Sequence, residues 1–454
     1  DVILTDLIFL TEGFRLLLLS INISLSVFYK FSRKHLFYMQ QIIFHIDVNS
    51  AFLSWTAIEQ LKNGSEVDLR EIPSIIGGNQ ESRHGVVLAK SVPAKKYGIV
   101  TGEPVANALR KCPNLTMAPP NHKMYTEYSK KLMDFLRSNY TDEIEQASVD
   151  ECYMNFTGIA HRYTSPVAAA FEIKDAIYRE FGFTVNIGIS VNHLLAKMAS
   201  DFQKPNKVHT LFPEEIPHKM WPLPVRDLFF CGKVTEKRLQ SLGIYTIGQL
   251  ANTNQIFLKD QLKKQGEILW AFANGEDVSL VTEERADNKG YGHSVTLPFD
   301  VQDTEEAYRV LLSLCEKVGT RIRKDGVRVS VIAVSYKSDL LKTSRHQKTL
   351  SQATNQTQEI YRHVQQIFDE LWDGTAIRHL GIHTSRIRDN INMRQIDMFD
   401  ETDYEKLENM DATVDRIRRR YGNDSVMRAA FVGSRIDHMS GGISREKRSG
   451  HNRK

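Results

Sequence analysis

Two short runs that combine strand-forming residues with acid constrain this chain more than any other feature. The first, IIFHIDVNSAF, carries Asp47, and the second, ASVDECYMNF, carries the adjacent pair Asp150 and Glu151. The first alternates in part and is rich in Ile and Phe; the second follows the polar stretch Thr141 to Gln146. Both read as strands. That reading places three carboxylates at the ends of neighbouring strands. Hard divalent cations such as Mg2+ take oxygen ligands, one or two carboxylates each with substrate phosphates filling the rest, and two such ions can clamp an in-line phosphoryl displacement. Acidic residues also end strands for no chemical reason, so either run alone leaves both readings open. What surrounds them shifts the balance toward phosphoryl transfer.

Five motifs follow one another between about Met39 and Arg388: HIDVNSAF, AKKYGIVTGEP, SVDECYMNF, GISVNHLLAKMASDFQKPN and LPVRDLFFCGKVTEKRLQSLGIYTIGQL. On these the chain resembles the Y-family DNA polymerases, the lesion-bypass class. The resemblance implies an α/β and α+β multidomain right hand. In it, residues 39–50 and 120–212 form a palm split by small fingers at 51–119. A helix-hairpin-helix thumb would follow at 213–282, then a linker at 283–290, an α+β little finger at 291–388 and a tail at 389–454.

The residues themselves support several of these divisions. Helical patterns cover Phe52 to Leu61, Tyr125 to Ser138 and Ser165 to Phe181, the last leading into the strand FTVNIGIS. Alternating strands and helices indicate an α/β layer. Pro222 and Pro224 break the chain, and Val225 to Leu250 then reads as helix, Gly232 turn, helix, Gly243 turn and helix. Such a hairpin offers backbone N–H groups and a helix N-terminus to a phosphate, although an ordinary helical hairpin has the same pattern. The stretch EERADNKG has linker composition. Beyond it GHSVTLPF, VRVSVIAVSY and IRHLGIHTSRI read as strands, with helices over Glu305 to Lys324 and Gln356 to Trp372. Lys337, Lys342, Arg345, His346 and Lys348 cluster in this last unit, with Arg386 and Arg388 on its final strand.

Composition adds limits. A formal charge of +4 over 454 residues is too small to prove a polyanion partner, so a nucleic-acid surface must come from local clustering. Four cysteines, Cys112, Cys152, Cys231 and Cys315, have no CxxC spacing, which argues against zinc or a disulfide framework and fits a reducing cytoplasm. The apolar stretch from Leu16 to Tyr29 is interrupted by Ser20, Asn22, Ser24 and Ser26 and lacks the length of a membrane span. With Met39 just before the first motif, residues 1–38 read as an upstream extension of the reading frame.

By motif match the resemblance implies that Asp47 and Asp150 bridge two Mg2+ ions, with Mn2+ a substitute. Glu151 would complete the ion nearest the primer, and the Val48 carbonyl would be a further ligand. Lys95, Lys96 and Lys204 match positions that hold triphosphate, although the family commonly has an aromatic at Val92 and Arg at Lys95, and Lys lacks the bidentate fork of Arg. Phe52 matches the steric gate that excludes a 2′ hydroxyl; taken alone, an aromatic there is as well explained as core. Ser50 and Ala51 are small where many relatives carry larger side chains, and Asn49 replaces a frequent Asp outside the metal set. Ser148 either hydrogen-bonds near the site or ends the strand. Gly232, Lys233, Lys337, Arg345 and Arg386 are the expected contacts to primer-template DNA. Gln395, Met398 and Phe399 in QIDMF look like the peptide by which bacterial polymerases bind the sliding clamp. The helix-like Asp403 to Arg420 ends in RIRRR, which would lie on DNA or in solvent. The implied protein is a cytoplasmic, nucleoid-associated monomer without a membrane partner. It would take deoxynucleoside triphosphates for error-prone synthesis on damaged templates. Two rivals are an inactive polymerase-like mutagenesis adaptor, which should lack metal carboxylates, and a nucleotidyl cyclase, which needs no DNA hairpin or basic distal unit.

Overall fold

The computed structural model describes residues 41–78, 85–277, 288–389 and 403–442, which fall into two compact units. The first is centred on a five-stranded sheet in the order β5-β6-β1-β7-β8. Its strands are β1 (Ile43–Val48), β5 (Ile144–Gln146), β6 (Glu151–Asn155), β7 (Val185–Ser190) and β8 (Val208–Thr210). A smaller sheet in the order β3-β2-β4 is formed by β2 (Ser74–Gly77), β3 (Val87–Lys90) and β4 (Thr116–Ala118). Between and around these strands lie α1 (Ala51–Lys62), α2 (Val92–Lys95), α3 (Val105–Lys111), α4 (His122–Asn139), α5 (Pro166–Phe181) and α6 (His193–Asp201).

Alternation along β1 separates its two faces. Phe44, Ile46 and Val48 join Tyr125, Leu132 and Leu136 of α4 and Ile173 and Ile177 of α5 in one apolar core, while His45 and Asp47 face the opposite way. Both core helices are capped as their sequences dictate. Asn121 accepts from the Met124 N–H, Ser165 accepts from the Ala168 N–H with Pro166 in the first turn, and Gly182 at φ 79° ends α5. On the polar face α6 lies directly on β7. A Cβ at Gly188 would stand 2.0 Å from the Ala196 carbonyl oxygen and 2.4 Å from the Ser200 nitrogen, so only glycine admits this approach.

Four further helices, α7 (Lys233–Ser241), α8 (Ile247–Ala251), α9 (Gln255–Leu262) and α10 (Lys264–Ala273), share a second core with Leu194, Leu195 and Met198 of α6. The first helix expected after Pro224 is only a turn of 3-10 helix, Val225–Asp227. Two prolines so close together remove backbone donors and restrict the residues before them. The polar stretch before Glu151 also contains an edge strand, β5, that the sequence reading passed over.

The second unit is a four-stranded antiparallel sheet, β11-β10-β12-β9, built from β9 (Gly290–Val301), β10 (Val327–Ser338), β11 (Thr343–Thr354) and β12 (Ile377–Asp389). Helices α11 (Thr304–Lys324) and α12 (Thr357–Leu371) cover one face through Val310, Leu314, Ile360 and Phe368. Residues 403–442 complete it. Helix α13 (Tyr404–Tyr421) and the segment after it dock on the same core, with Phe431 and Ile436 among its buried side chains.

The Asp403 to Arg420 pattern is therefore helical, and its arginines are neither all solvated nor free. Arg418 is 5% exposed and donates to Glu316 Oε2 at 2.6 Å, and Arg428 pairs with the other oxygen of the same carboxylate. Arg323 binds Asp415 at 2.6 Å and Asp411 at 3.0 Å. All four cysteines are free and buried. Among the described residues no helix is long and apolar enough to cross a membrane. The leader 1–38, the first part of the linker and QIDMF lie outside the described residues.

Candidate active site

Strand pairing brings the acids together. Asp47 and Glu151 are direct cross-strand partners between β1 and β6, and the Val48 N–H donates to the Asp150 carbonyl at 3.0 Å. Residues opposite one another on a pair of strands share a face, so Asp47 and Glu151 stand side by side on the side covered by α6.

Asp150 is set by Ser148, whose hydroxyl donates to Asp150 Oδ1 at 2.7 Å and accepts from the Asp150 and Glu151 N–H groups. This settles the open reading of Ser148 as a hydrogen-bonding residue of the site. Asn49 has a comparable role behind Asp47. Its side chain bonds Asn186, Thr184 and the Asn206 N–H and fixes the turn that leaves β1.

The carboxylates are held by two lysines. Lys204 Nζ lies 2.7 Å from Asp47 Oδ2 and 2.8 Å from Asp201 Oδ1. Lys197 Nζ lies 2.6 Å from Glu151 Oε1 and 3.5 Å from both Asp47 Oδ2 and Asp201 Oδ2. Burial pushes the Asp47 carboxyl up from its ordinary value, against the pull of Lys204 and Lys197. Burial works in the same sense on Glu151, but the neighbouring His45 ring and the Lys197 ammonium outweigh it and hold this carboxyl well below the usual range. Lys197, Asp201 and His45 escaped the sequence reading. The signal was present for the first two, because Lys197 and Asp201 have the four-residue spacing of a helical ion pair.

Two cavities open beside these acids. One of about 430 Å³ is lined by Asp47, Val48, Phe52, Lys95, Asp150, Glu151 and Lys204. The other, about 530 Å³, runs from Asp47, Lys95 and Lys204 past Ser50 to Arg70 and Tyr178. Ser50, at φ 47°, caps α1 without a side-chain bond, and its small side chain forms part of that wall. Phe52 faces the first cavity while stacking on Tyr125, with ring centroids 4.3 Å apart and planes 7° from parallel. Lys95 is exposed on the short α2 and reaches both cavities; Lys96 is exposed and lines neither.

The donor set offered to a metal is entirely oxygen, which suits Mg2+ or Mn2+ and not zinc. Two ammonium groups already seated against Asp47 and Glu151 stand where positive charge is wanted, so the residues fit a hard divalent ion. Among the described residues no three acidic, His or Cys side chains converge as ligands of one ion, because each carboxylate is turned toward its own protein donor.

The expected DNA contacts fall on both units. Gly232 and Lys233 are exposed at the N-terminus of α7, where Gly232 caps the helix without a side chain. On the open face of the second sheet a row of small residues, Ser294, Gly381 and Ser335, ends on the exposed Arg345. Lys337 lies two residues along β10 from Ser335 and so on the same face. Arg386, exposed at φ 53°, lies opposite Ser330 of β10, whose hydroxyl donates to the Arg386 carbonyl. The other basic residues of the cluster differ, since Lys348 and His346 turn to Glu370 on α12.

Comparison with known proteins joins these parts. The chain is similar to DNA polymerase IV of Clostridium acetobutylicum, with 45% identity over 394 residues, 87% of this chain and 99% of the relative. The chain belongs to the impB/mucB/samB family. The family model matches residues 46–201, which hold all three carboxylates and Lys197. The family's HHH motif matches residues 213–244, and its C-terminal domain matches residues 288–398. DNA polymerase IV of Acetivibrio thermocellus is another family relative, 35% identical over 401 residues, 87% of this chain and 99% of that one. A solved Y-family DNA polymerase chimera superposes with a TM-score of 0.64 at 22% identity, covering 77% of this chain and all of the chimera. The fold is thus that of the Y-family polymerases.

Proposed function

We propose that the protein is a template-directed DNA polymerase of the error-prone lesion-bypass class, adding deoxynucleotides to a primer 3′ end. The observation that carries this reading is the single 430 Å³ cavity shared by Asp47, Asp150, Glu151, Phe52, Lys95 and Lys204, in a chain whose relatives are DNA polymerases IV. The inactive-adaptor and cyclase readings are not favoured, since the three carboxylates are present and the relatives are named as polymerases.

Asp47, Asp150, Glu151 and the Val48 carbonyl would hold two Mg2+ ions. Such ions supply acidification of the primer hydroxyl and neutralise charge on the reacting phosphates. The chain's own contribution is placement. Ser148 fixes Asp150, the β1–β6 register aligns Asp47 with Glu151, and Lys204 and Lys95 present charge toward the triphosphate. The primer oxygen bonds to the α-phosphorus, and the bond from that phosphorus to the bridging oxygen breaks as pyrophosphate leaves. Phe52, backed by Tyr125, occupies the wall against which a 2′ hydroxyl would have to fit, which makes it the sugar gate. Lys96, exposed and outside both cavities, has the weakest claim of the three lysines to a phosphate contact.

Residues 39–50 and 120–212 serve as palm, 51–119 as fingers, 213–282 as thumb and 291–388 as little finger. Gly232 and Lys233 would meet the DNA backbone from the thumb, and Lys337, Arg345 and Arg386 from the little finger. The small side chains of the row beside Arg345 leave a backbone room to approach. Gln395, Met398 and Phe399 would tether the monomeric, cytoplasmic enzyme to the sliding clamp and raise its effective concentration at the primer end. The test is primer extension on undamaged and lesion-bearing templates by the parent and by Asp150→Ala. Extension across a lesion by the parent alone supports the proposal; equal extension by the variant contradicts it.

A further inference from the structure

The acids of the site are gripped by a cation that belongs to the chain, and three constraints fix where it sits. First, Gly188 lets α6 lie close enough to β7 for the Lys197 stem to run between the two carboxylates. Second, Ser200 donates its hydroxyl to the Lys197 carbonyl at 2.8 Å and meets His45 Nδ1 at 2.8 Å, tying the helix to β1. With its proton committed to that carbonyl, Ser200 can only accept from the imidazole. Third, His45 is fully buried, and its Nε2 has no hydrogen-bond partner and stands 3.8 Å from Glu151 Oε2, closing the far side of that carboxylate.

We propose that Lys197 is a positioning residue whose ammonium holds Asp47 and Glu151 in register in the metal-free enzyme and competes with a divalent cation for Glu151. The proposal rests on the reading of these two carboxylates as metal ligands. Like charges directly opposite on paired strands repel, so the free enzyme needs a cation between them. A lysine suits the task. Its compact charge on a flexible stem can withdraw, whereas the planar fork of arginine would hold a carboxylate in a fixed bidentate pair. The free enzyme therefore keeps its carboxylates ordered and binds free metal weakly.

The experiment measures Mn2+ binding by electron paramagnetic resonance, without DNA or nucleotide, for the parent, Lys197→Met and Lys197→Arg. Melting temperatures are taken in chelator and in Mn2+. Lys197→Met should melt lower than the parent in chelator, regain the difference in Mn2+, and bind Mn2+ roughly tenfold more tightly, as befits loss of one competing charged hydrogen bond. Lys197→Arg should keep the parent's melting temperature in chelator and gain no affinity. Unchanged or weaker Mn2+ binding by Lys197→Met overturns the proposal. A parent that binds no Mn2+ even with deoxynucleotide present overturns the metal assignment beneath it, which is a different result. Should the methionine variant fail to fold, reductive methylation of the parent followed by mass spectrometry gives the answer. Lys197 should be protected in chelator and become labelled in saturating Mn2+, and equal labelling in both would overturn the competition.

Discussion

The chain carries two networks of sequestered acid and base, and they are built with different cations. In the first unit, Asp47, Glu151 and Asp201 are held by Lys197 and Lys204 beside an open cavity. In the second unit, Glu316 is held by Arg418 and Arg428, and Asp411 and Asp415 by Arg323. Lysine gives a point charge that can be exchanged for another cation, while arginine gives a planar pair that stays. The difference teaches which network acts and which one fastens. Acids held below their ordinary value occur in both, so a shifted pKa alone does not mark the active site.

The largest effect should come from the network beside the cavity. Asp47→Ala or Glu151→Ala should lower nucleotide incorporation at least about a thousandfold, worth ~4 kcal/mol of transition-state stabilisation, with primer-template affinity nearly unchanged. Single-turnover kinetics beside a filter-binding assay check both halves, and substantial incorporation by either variant breaks the comparison.

Next comes the fastening network. Glu316→Ala leaves a buried arginine without its partner and should destabilise the second unit by about 3–5 kcal/mol. Differential scanning calorimetry would register it as a lowered transition. The same network has an acid signature. Burial works to raise the Glu316 carboxyl, but Arg428 and Arg418 outweigh it and hold it below its ordinary value of 4.5. A depressed carboxyl contributes stability that is full above the unfolded value and is lost as pH falls through the folded one. The Glu316→Gln penalty should therefore be largest near neutrality and shrink below about pH 4.5. A penalty that grows on acidification would contradict the sign.

Smaller effects sharpen the division. Phe52→Ala should cut discrimination against ribonucleotides by at least about tenfold, ~1.4 kcal/mol, measured as a ratio of kcat/KM values. Unchanged discrimination would make Phe52 a core residue only. Arg345→Ala and Lys337→Ala should each weaken DNA binding without regard to sequence and reduce the salt slope by about one unit. An unaltered slope would remove that residue from the interface.

The acids were legible in the sequence because strand-forming runs announce their own period, and each acid could be placed on a strand end. The lysines between them were harder to read. Lys204 matches a phosphate-binding position, and while its contact with Asp201 is local, three residues apart, its contact with Asp47 comes from a loop–strand approach that no local pattern encodes. Lys197 depends on Gly188, whose missing side chain matters only once α6 is laid on β7.

Strand β11 was hidden for another reason. Its sequence, TSRHQKTLSQAT, has almost no apolar alternation, because it is an edge strand with one open face and pairs charge toward α12 on the other. The docking of α13 was equally invisible. RIRRR reads as solvated or DNA-bound until Glu316, a hundred residues earlier in the chain, is found buried beneath it.

The most direct test crosses the two networks in one experiment. Asp150→Asn and Glu316→Gln each remove one carboxylate charge, and for each the single-turnover incorporation rate and the melting temperature are measured together. Asp150→Asn should lose at least about a hundredfold in rate while melting near the parent, ~2.7 kcal/mol taken from the transition state alone. Glu316→Gln should melt several degrees lower while polymerising at the parent's rate in the folded range. A slow Glu316→Gln enzyme, or an Asp150→Asn enzyme that polymerises normally, would contradict the assignment of chemistry to the first unit and fastening to the second.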